Sequence, residues 1–423
     1  MNSILIDTIR RAHARRFGAR PAAVAYAPGR VEILGNHTDY NAGFVLSAAI
    51  DLGIALAVSP APGQTCVLYA IDVNEDTSVE LPVTAPVSRP LWANYVLGVV
   101  NQLGGRGRIG HGFSATIAGN IPLGAGLSSS AALEVAAALG LGALYAIHPP
   151  KLELARLCQA AENEFTGARC GLLDQISSLY GRPEALVFTD FRSLEIESVP
   201  LGADVCFLIA DTRVKHSLSG SAGALRPDEV ESEYNARRTQ CEQAAAFFGS
   251  VLDHPVKPEN GLIKDRRNPP KPESGRRRVQ ALRDVSVDEW KKFSARMDPL
   301  TARRAAHIIE ENQRVLEARR QLAAGNLQAF GELMFQSHHS SRVNFENSCP
   351  ELDALVDAAR TMPAVLGARL SGGGFGGSVV LMVHPADAAS AGKELAGRYQ
   401  AACGQACEVR VIKPSAGARI VRE

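Results

Sequence analysis

The stretch that decides the fold is Pro122-Leu123-Gly124-Ala125-Gly126-Leu127-Ser128-Ser129-Ser130-Ala131-Ala132. Glycines precede three serines, and an alanine-rich run continues to about Ala146. This order predicts a tight loop that leads into a helix, because alanine and leucine favour helices and a serine hydroxyl can cap the first turn. The glycines let the backbone approach a ligand closely, and the free N–H groups at the helix start attract an anion. A polyphosphate is the expected anion.

An ordinary capped helix after a turn would explain the same residues, because an anion pocket of this kind is a weak sequence signal. The segment is not a P-loop, since Ala125 stands where that motif requires lysine and no serine or threonine follows at Gly126. The second half of a dinucleotide-binding fingerprint is also missing. A nucleotide would therefore be bound by a different architecture.

The whole chain has the length and composition of a soluble protein with two domains. It has 423 residues, of which 46% are hydrophobic and 21% charged. The formal net charge of +1 gives no electrostatic reason to expect nucleic acid or an anionic membrane as a partner. No apolar run reaches the roughly 18 residues that span a bilayer. We therefore expect neither a nucleic-acid-binding nor a membrane protein.

The eight cysteines are scattered through the chain, which is typical of reduced thiols and predicts a cytoplasmic location. Cys403 and Cys407 form a single C-x3-C pair without further ligands, which argues against a zinc site. At the start of the chain, the spacing of Ile4, Ile6 and Ile9 predicts an amphipathic helix rather than a secretory signal.

A polar loop, Gly35–Gly43, lies between apolar segments that predict strands. Binding groups are often found in such loops. A simple hairpin would explain Asn41 and Gly43, but it would not explain a histidine, an aspartate and a tyrosine within four positions. The predicted strands on either side are Val24–Ala27, Val31–Leu34, Phe44–Ile50 and Leu52–Val58.

Two further segments carry candidate binding groups. The predicted helix from Trp92 to Val100 places Trp92 and Tyr95 on one face, where they could flank a base, although core packing is the more common fate of aromatic residues. Asp174 follows the predicted helix Lys151–Thr166 and two leucines, and it precedes an apolar stretch. A carboxylate in that setting is either partnered or chemically active, and a helix cap remains the alternative.

The second half of the chain contains two unusual segments. Asp253–Arg278 is rich in proline, lysine and arginine, which predicts a solvated insertion, with a basic recruitment site as the alternative. Leu370–Ser378 is rich in glycine and precedes the predicted strand Val379–Val383, so its backbone is expected to approach a ligand or another loop closely. The other predicted elements are a strand at Val205–Ala210, a helix from Glu233, and helices at Pro299–Ala324 and Asn326–Val343.

Three separated stretches resemble one enzyme family. Ala27–Tyr40 resembles the galactokinase signature, whereas Pro122–Ala132 and Leu370–Ser378 resemble the second and third motifs of the small-molecule kinase superfamily that includes homoserine and mevalonate kinases. Shorter pieces are also similar to galactokinases, namely Trp92–Gly98, Cys170–Gln175, Ser232–Tyr234 and Arg237-Arg238.

The resemblance implies an α+β fold, a two-domain small-molecule kinase fold with mixed sheets and helices and the active site in the interdomain cleft. Residues 1–203 would carry a sugar loop, which we define as Gly35–Gly43, and a phosphate loop, which we define as Pro122–Ser130. Residues 204–423 would carry the glycine-rich third motif. The implied reaction transfers the γ-phosphoryl group of ATP to the anomeric hydroxyl of galactose with Mg²⁺, giving galactose 1-phosphate and ADP. A monomer is expected.

The resemblance also implies residue roles. Asp174 would be the catalytic base, and Arg30 would lie beside it and favour the carboxylate form. The sugar-binding residues would be Asn36, His37, Thr38, Asp39, Gly171 and Tyr234. The nucleotide would contact Pro122, Gly124, Ala125, Gly126, Leu127, Ser128, Ser129, Ser130 and Trp92. Ser130 and Glu162 would hold Mg²⁺, which typically takes only one or two protein carboxylates besides phosphate oxygens.

The chain departs from the family at Asn36, where galactokinases usually have glutamate. An amide can donate or accept, so a sugar contact would survive but weaken by about 1 kcal/mol. On that interpretation, Asn36→Glu would improve galactose binding. The change leaves open a kinase for another sugar, such as N-acetylgalactosamine or arabinose. A kinase-like sugar sensor without turnover is a further alternative, although Arg30, Asp174 and residues 128–132 are all present. The chain is also longer at 217–234 and 251–283.

Overall fold

The computed structural model describes residues 2–105, 109–122, 124–168, 170–215, 227–252 and 279–422. The predicted solvated insertion at 253–278 lies outside these residues, as does most of the longer segment that follows position 217. Among the described residues, no helix combines the length and the apolar character that crossing a membrane requires.

A mixed eight-stranded sheet forms the first half of the fold. Its main path runs β12-β1-β2-β5-β3-β4, and β6 and β7 extend from β2. All neighbours are antiparallel except β3 and β5, which run parallel. The strands are β1 (Ala23–Leu34), β2 (Phe44–Pro60), β3 (Thr65–Ala70), β4 (Glu75–Glu80), β5 (Phe113–Gly119), β6 (Ala185–Asp190), β7 (Glu195–Pro200) and β12 (Arg419–Ile420).

Five helices pack around this sheet. The helix after the phosphate loop lies against β1 and β2, because its alanine-rich sequence presents small side chains that allow a close approach to the strands. The first helix is confirmed, with Ile6 and Ile9 buried, but Ile4 is exposed and does not belong to its apolar face. The helices are α1 (Asn2–Phe17), α2 (Ala93–Gly104), α3 (Ser129–Leu144), α4 (Lys151–Phe165) and α5 (Leu173–Tyr180).

A second, antiparallel sheet follows in the order β11-β8-β10-β9. Its strands are β8 (Cys206–Lys215), β9 (Val365–Ser371), β10 (Gly376–Val383) and β11 (Glu408–Ile412). The helices of this half are α6 (Pro227–Leu252), α7 (Val287–Phe293), α8 (Pro299–Ala323), α9 (Leu327–Ser340), α10 (Pro350–Arg360) and α11 (Ala388–Cys403).

One apolar cluster spans the two halves, and a separate one lies within the second half. Val315, Phe330 and Met334 of the second half lie in the same buried cluster as Ile33 and Leu34 of β1. The last strand, β12, returns to the first sheet and pairs with β1. The change from one sheet to the other falls between β7 and β8, near the predicted boundary at residue 203.

Several predicted element ends were wrong. The predicted strands Val24–Ala27 and Val31–Leu34 form one continuous strand, with a bulge where the pairing register shifts between Pro28 and Arg30. A side chain at Gly29 would lie 2.5 Å from the carbonyl oxygen of Leu127, so glycine lets the bulge approach the phosphate loop. Strand β8 continues past Asp211 to Lys215, and α9 ends at Ser340, where a π-helical turn follows.

Candidate active site

A cavity of about 810 Å³ lies where β1, α2, α5, α6 and the glycine-rich third motif meet. Its wall contains eight of the residues that the sequence predicts for the site: Arg30, Asn36, His37, Asp39, Trp92, Gly171, Asp174 and Tyr234. Thr38, Glu162 and the phosphate loop do not line the cavity itself. Of these, the phosphate loop and Glu162 lie next to the cavity, as the contacts below establish.

Asp174 lies in the first turn of α5 at one end of the cavity. Its Oδ1 accepts a hydrogen bond from Arg30 Nε at 2.8 Å, and its Oδ2 accepts one from the hydroxyl of Ser128. The carboxylate is still 28% exposed toward the cavity. The structure therefore fixes both oxygens and leaves the group accessible to a ligand.

The phosphate loop is tied to the protein through its carbonyl groups. Arg30 donates from its Nη1 to the carbonyl of Gly126 and from its backbone N–H to that of Leu127, at 2.7 and 3.1 Å. The hydroxyl of Ser378 donates to the carbonyl of Ala125. Gly126 adopts a φ of 70°, which favours glycine. The first turn of α3 leaves backbone N–H groups without intrahelical partners, as at any helix start.

Ser128, one of the three serines that could cap the helix, occupies the N-cap position of α3, but the predicted capping hydrogen bond is wrong. Its hydroxyl accepts no bond from the helix and instead donates to Asp174. The residue has a φ of 56°, a left-handed conformation that is uncommon for serine. The cap position is therefore used to join the phosphate loop to Asp174.

Acidic side chains gather behind the phosphate loop. Glu162 accepts hydrogen bonds from Cys170 Sγ at 2.9 Å and from Gln175 Nε2 at 3.1 Å, and the hydroxyl of Ser130 lies close to its carboxylate. The same Gln175 nitrogen donates to Glu134 at 3.1 Å. Burial raises the pKa of Glu162, and burial together with the charge of Glu162 raises the pKa of Glu134. These groups would gain from a nearby cation.

These acidic groups do not form a complete metal cage. In the part of the chain that the structure describes, no three His, Cys, Asp or Glu side chains are arranged to hold a metal ion by themselves. Two buried oxygens here, Oε1 of Glu134 and Oε1 of Gln175, have no hydrogen-bond partner in the structure. A cation shared with phosphate oxygens needs only one or two protein ligands, which suits this arrangement.

The sugar loop is held by side chains of α8. Glu311 Oε1 accepts hydrogen bonds from the backbone N–H groups of Gly35 and Asn36, at 2.9 and 3.3 Å. Burial alone would raise the pKa of Glu311, but Arg314 and the other nearby positive charges hold it well below its usual range. A fully buried, charged acceptor therefore fixes the start of the loop. Asn312 accepts from the backbone N–H of Phe44 and fixes its end.

The amide of Asn36 is already used by the protein. Its Nδ2 donates to Glu32 Oε1 at 3.0 Å and to the carbonyl of Gly372 at 2.8 Å. Its Oδ1 accepts from Asn347 Nδ2 at 2.9 Å and from the Ser341 hydroxyl at 3.4 Å. No donor remains for a sugar. Asn36→Glu is therefore no longer expected to improve galactose binding, because a carboxylate there would face two acceptor oxygens, those of Glu32 and Gly372.

His37 lies in the cavity wall, but both of its ring nitrogens have protein partners. Nε2 donates to the carbonyl of Gly373 at 3.0 Å, and Nδ1 accepts from the Tyr40 hydroxyl at 2.8 Å. Burial lowers the pKa of His37 to about 4, so the ring is neutral. It packs beside Tyr234 and Phe345, with ring centroids 5.1 and 4.6 Å away. The imidazole can therefore offer a sugar its ring surface and no free nitrogen.

Asp39 and Gly171 meet in the cavity wall. A side chain at Gly171 would collide with Asp39 Oδ2, so glycine leaves the space that this carboxylate occupies. Burial raises the pKa of Asp39 to about 7. Thr38 is placed differently, because it is fully buried and its hydroxyl lies 2.8 and 2.6 Å from the carbonyls of Gly35 and Phe44. Thr38 thus supports the loop and does not reach the cavity.

The other end of the cavity is apolar. Trp92 precedes α2, and its Nε1 donates to Glu75 at 2.9 Å. Trp92 and Tyr95 both line the cavity while also packing against the apolar core. Trp92 and Tyr95 therefore combine the two predicted settings, since both pack on the core and both face a cavity that could hold a base.

Three family models match the chain. The "GHMP kinases N terminal domain" matches residues 94–182, the "Galactokinase galactose-binding signature" matches residues 11–60, and "GHMP kinases C terminal" matches residues 318–401. A curated galactokinase from Haemophilus influenzae (strain ATCC 51907 / DSM 11121 / KW20 / Rd) is 38% identical over 406 residues, which is 95% of both chains. The chain belongs to the galactokinase family.

Solved structures agree with this family. The Lactococcus lactis galactokinase complexed with galactose has a TM-score of 0.84 and 29% identity, and the alignment covers 98% of this chain and 99% of that one. A homoserine kinase from Cytophaga hutchinsonii has a TM-score of 0.56 at 15% identity, covering 94% and 97% of the two chains, and shows the fold alone. The predicted two-domain kinase fold and the resemblance to galactokinases are confirmed.

Sequence reasoning missed four charged residues around the site: Glu32, Glu134, Glu311 and Arg369. Glu134 had a signal, since it is the one charged residue in the run Ala131–Leu144. Glu32 also had one, because it lies between apolar residues of a predicted strand. Glu311 and Arg369 had none, because their contacts come from distant parts of the chain.

Proposed function

We propose that this chain transfers the γ-phosphoryl group of ATP to the anomeric hydroxyl of galactose, releasing galactose 1-phosphate and ADP. The observation that carries the proposal is the position of Asp174. Its carboxylate faces the cavity and is bound at once by Arg30 and by Ser128 of the phosphate loop. A hydroxyl held at Asp174 would therefore lie next to the phosphate loop.

In this reaction, the anomeric oxygen attacks the γ-phosphorus as its proton passes to Asp174. The new bond joins that oxygen to phosphorus, and the bond to the β-phosphate oxygen breaks. Phosphoryl transfer needs mainly positioning and charge neutralisation, and Arg30 supplies a fixed positive charge beside the base. General-base help contributes roughly 10²- to 10⁴-fold to such reactions.

We propose that ATP is accompanied by Mg²⁺, with Ser130 and Glu162 as its protein ligands. Bound there, the ion would neutralise phosphate charge during transfer. Two observations support this: the hydroxyl of Ser130 lies close to the Glu162 carboxylate, and burial raises the pKa of this carboxyl. Pro122 and residues 124–129 of the phosphate loop would approach the phosphates, and Trp92 would contact the base from the apolar part of the cavity.

For the sugar, we propose that Asp39 and Tyr234 supply polar contacts, and that His37 and Gly171 shape the pocket. Burial raises the pKa of Tyr234 well above its usual value, so its hydroxyl keeps a proton to donate. Asn36 and Thr38 would act through the loop rather than by side-chain contact. We further propose a cytoplasmic monomer with domains at 1–203 and 204–423; the free state of all eight cysteines supports the location.

The test is ADP release from purified protein with ATP, Mg²⁺ and a panel of sugars. We expect galactose to give the highest kcat/KM, with N-acetylgalactosamine, arabinose and glucose at least about tenfold lower, since one good polar contact is worth about that factor. A preference of tenfold or more for another sugar would limit the assignment to the kinase superfamily. ATP and galactose binding without turnover would favour a sensor.

A further inference from the structure

Glu32 is a buried carboxylate in the wall of the cavity. It lies on β1, two residues after Arg30, and is only 4% exposed. The side chain pairs with Arg369, which is itself fully buried, at 2.7 Å. A buried carboxylate without partners is costly, so the arginine accounts for its presence in the protein interior. The pairing with Arg369 does not explain why Glu32 lies in the cavity wall.

The two oxygens of Glu32 differ. Oε1 accepts both protein hydrogen bonds, from Arg369 and from Asn36. Oε2 has no hydrogen-bond donor among the residues that the structure describes, and it is not sealed away from the cavity. An ionised carboxylate oxygen needs donors, and its hydrogen bonds are about twice as strong as neutral ones. The free oxygen is therefore a ready acceptor for a ligand hydroxyl.

Asn36 and His37, which line the same cavity, cannot take this role. The amide of Asn36 has given both of its hydrogens to Glu32 and Gly372, and His37 has no free ring nitrogen. Asn36 instead helps to fix the orientation of the Glu32 carboxylate, since it donates to the same Oε1 that accepts from the buried Arg369. We propose that Glu32 is a sugar-binding residue that determines specificity, and that its Oε2 accepts a hydrogen bond from a galactose hydroxyl.

The spacing along β1 indicates which hydroxyl groups qualify. Residues two apart on a strand point to the same face and lie about 7 Å apart. Arg30 marks the reacting end of the cavity through its contact with Asp174. Glu32 therefore lies roughly one pyranose ring away from the anomeric carbon. The hydroxyl it binds is on C3, C4 or C6, and not the C2 hydroxyl beside the reacting carbon.

This inference rests on the proposed function, so the experiment begins with galactose turnover by the wild-type protein. The kcat/KM values of galactose and of its 2-, 3-, 4- and 6-deoxy analogues are then measured for the wild type and for Glu32→Gln. For the wild type, we expect removal of the hydroxyl at one of positions 3, 4 or 6 to lower kcat/KM by about 10- to 100-fold. For Glu32→Gln, removal of that same hydroxyl should lower kcat/KM by less than about threefold. Removal of the C2 hydroxyl should lower kcat/KM by the same factor in both proteins.

Glu311→Gln is the matched control, because Glu311 is also a buried carboxylate but serves the backbone of the sugar loop and does not line the cavity. It should raise KM for all five sugars by a similar factor and leave the pattern of losses unchanged. Should Glu32→Gln fail to fold without its charge beside Arg369, Glu32→Asp keeps the charge, withdraws the oxygen by one methylene and enters the same comparison.

The outcomes separate the two claims. If the wild type turns over galactose but the variants at position 32 show the same pattern of losses as the wild type, Glu32 is structural and this inference is overturned alone. The inference would also be overturned if Glu32→Gln reduced the decrease in kcat/KM equally for all four deoxy analogues, since Glu32 would then recognise no single hydroxyl. If the wild type does not phosphorylate galactose, the proposed function fails first and the inference fails with it.

Discussion

The phosphate loop and the sugar loop both border Asp174, but different kinds of contact hold them. The phosphate loop is fixed mainly through its own backbone carbonyls, which Arg30 and Ser378 bind. The sugar loop is fixed by buried side chains from the second half of the chain, above all Glu311 and Asn312. Both loops therefore depend on long-range contacts, but the phosphate loop offers its carbonyls to donors from β1 and β10, whereas the sugar loop offers backbone N–H groups to acceptors of α8.

This difference predicts that substitutions will separate into two kinds. Changes near the phosphate loop should alter the dependence on ATP and Mg²⁺, and changes near the sugar loop should alter KM for galactose. Asp174 joins the two regions, so its replacement should affect turnover itself.

The largest effect is expected for Asp174→Asn. The amide is nearly the same size as the carboxylate but cannot take a proton, so kcat should fall by at least about 100-fold while ATP binding is kept. Steady-state kinetics and a titration with ATP measure both quantities. If the folded variant keeps more than about a tenth of kcat, Asp174 is not the base.

On the sugar side, Gly171→Ala should raise KM for galactose by about 10- to 100-fold with little change in KM for ATP. The added methyl group would displace the carboxylate of Asp39. Gly397→Ala is the control, because a side chain at this exposed position meets nothing within 4 Å. Equal effects on the KM values of both substrates would contradict the separation of the two regions.

On the phosphate side, Ser130→Ala and Glu162→Gln should each raise the Mg²⁺ concentration needed for half-maximal activity by about tenfold, because each loses one oxygen ligand. KM for galactose should change little. A Mg²⁺ titration at fixed ATP measures the effect, and Glu164→Gln, an exposed residue on the same helix, serves as control. If activity depends on the Mg²⁺ concentration in the same way in the wild type and in both variants, Ser130 and Glu162 are not the Mg²⁺ ligands.

The smallest effect is a pH dependence of the sugar side. Burial raises the pKa of Asp39 to about 7, so this group is mostly protonated below that pH and mostly ionised above it. Since the ionised form is the stronger acceptor, KM for galactose should fall as the pH rises, by about fivefold from about pH 6 to about pH 8. Asp39→Asn should abolish this change. A profile that persists in the variant would assign the titration to another group.

The same comparison explains how much the sequence could predict. Gly126 and the helix formers of α3 act within a few residues, so the tight loop and its helix were predictable from local sequence, whereas the contact of Ser128 with Asp174 was not. Resemblance to galactokinases supplied Asp174, Arg30, His37 and Asp39 for the cavity, although no local pattern shows that they meet.

The anchors of the sugar loop were not predictable in this way. Glu311 contacts Gly35 across 276 positions of the chain, and Arg369 contacts Glu32 across 337. Asn36 was misjudged for the same reason, because its partner Asn347 comes from a distant turn. A local pattern can identify a polar residue, but only the packed structure shows whether its hydrogen-bonding capacity is already used.

The most direct test is the position of the phosphate on the product. The protein is incubated with ATP, Mg²⁺ and galactose, and the sugar phosphate is analysed by phosphorus NMR with coupling to the sugar protons. With Asp174 at the junction of the two regions, we predict one product whose phosphorus couples to the anomeric proton, formed at least about 100-fold more slowly by Asp174→Asn. Phosphate on another hydroxyl, or no sugar phosphate from the folded wild-type protein, would contradict the account.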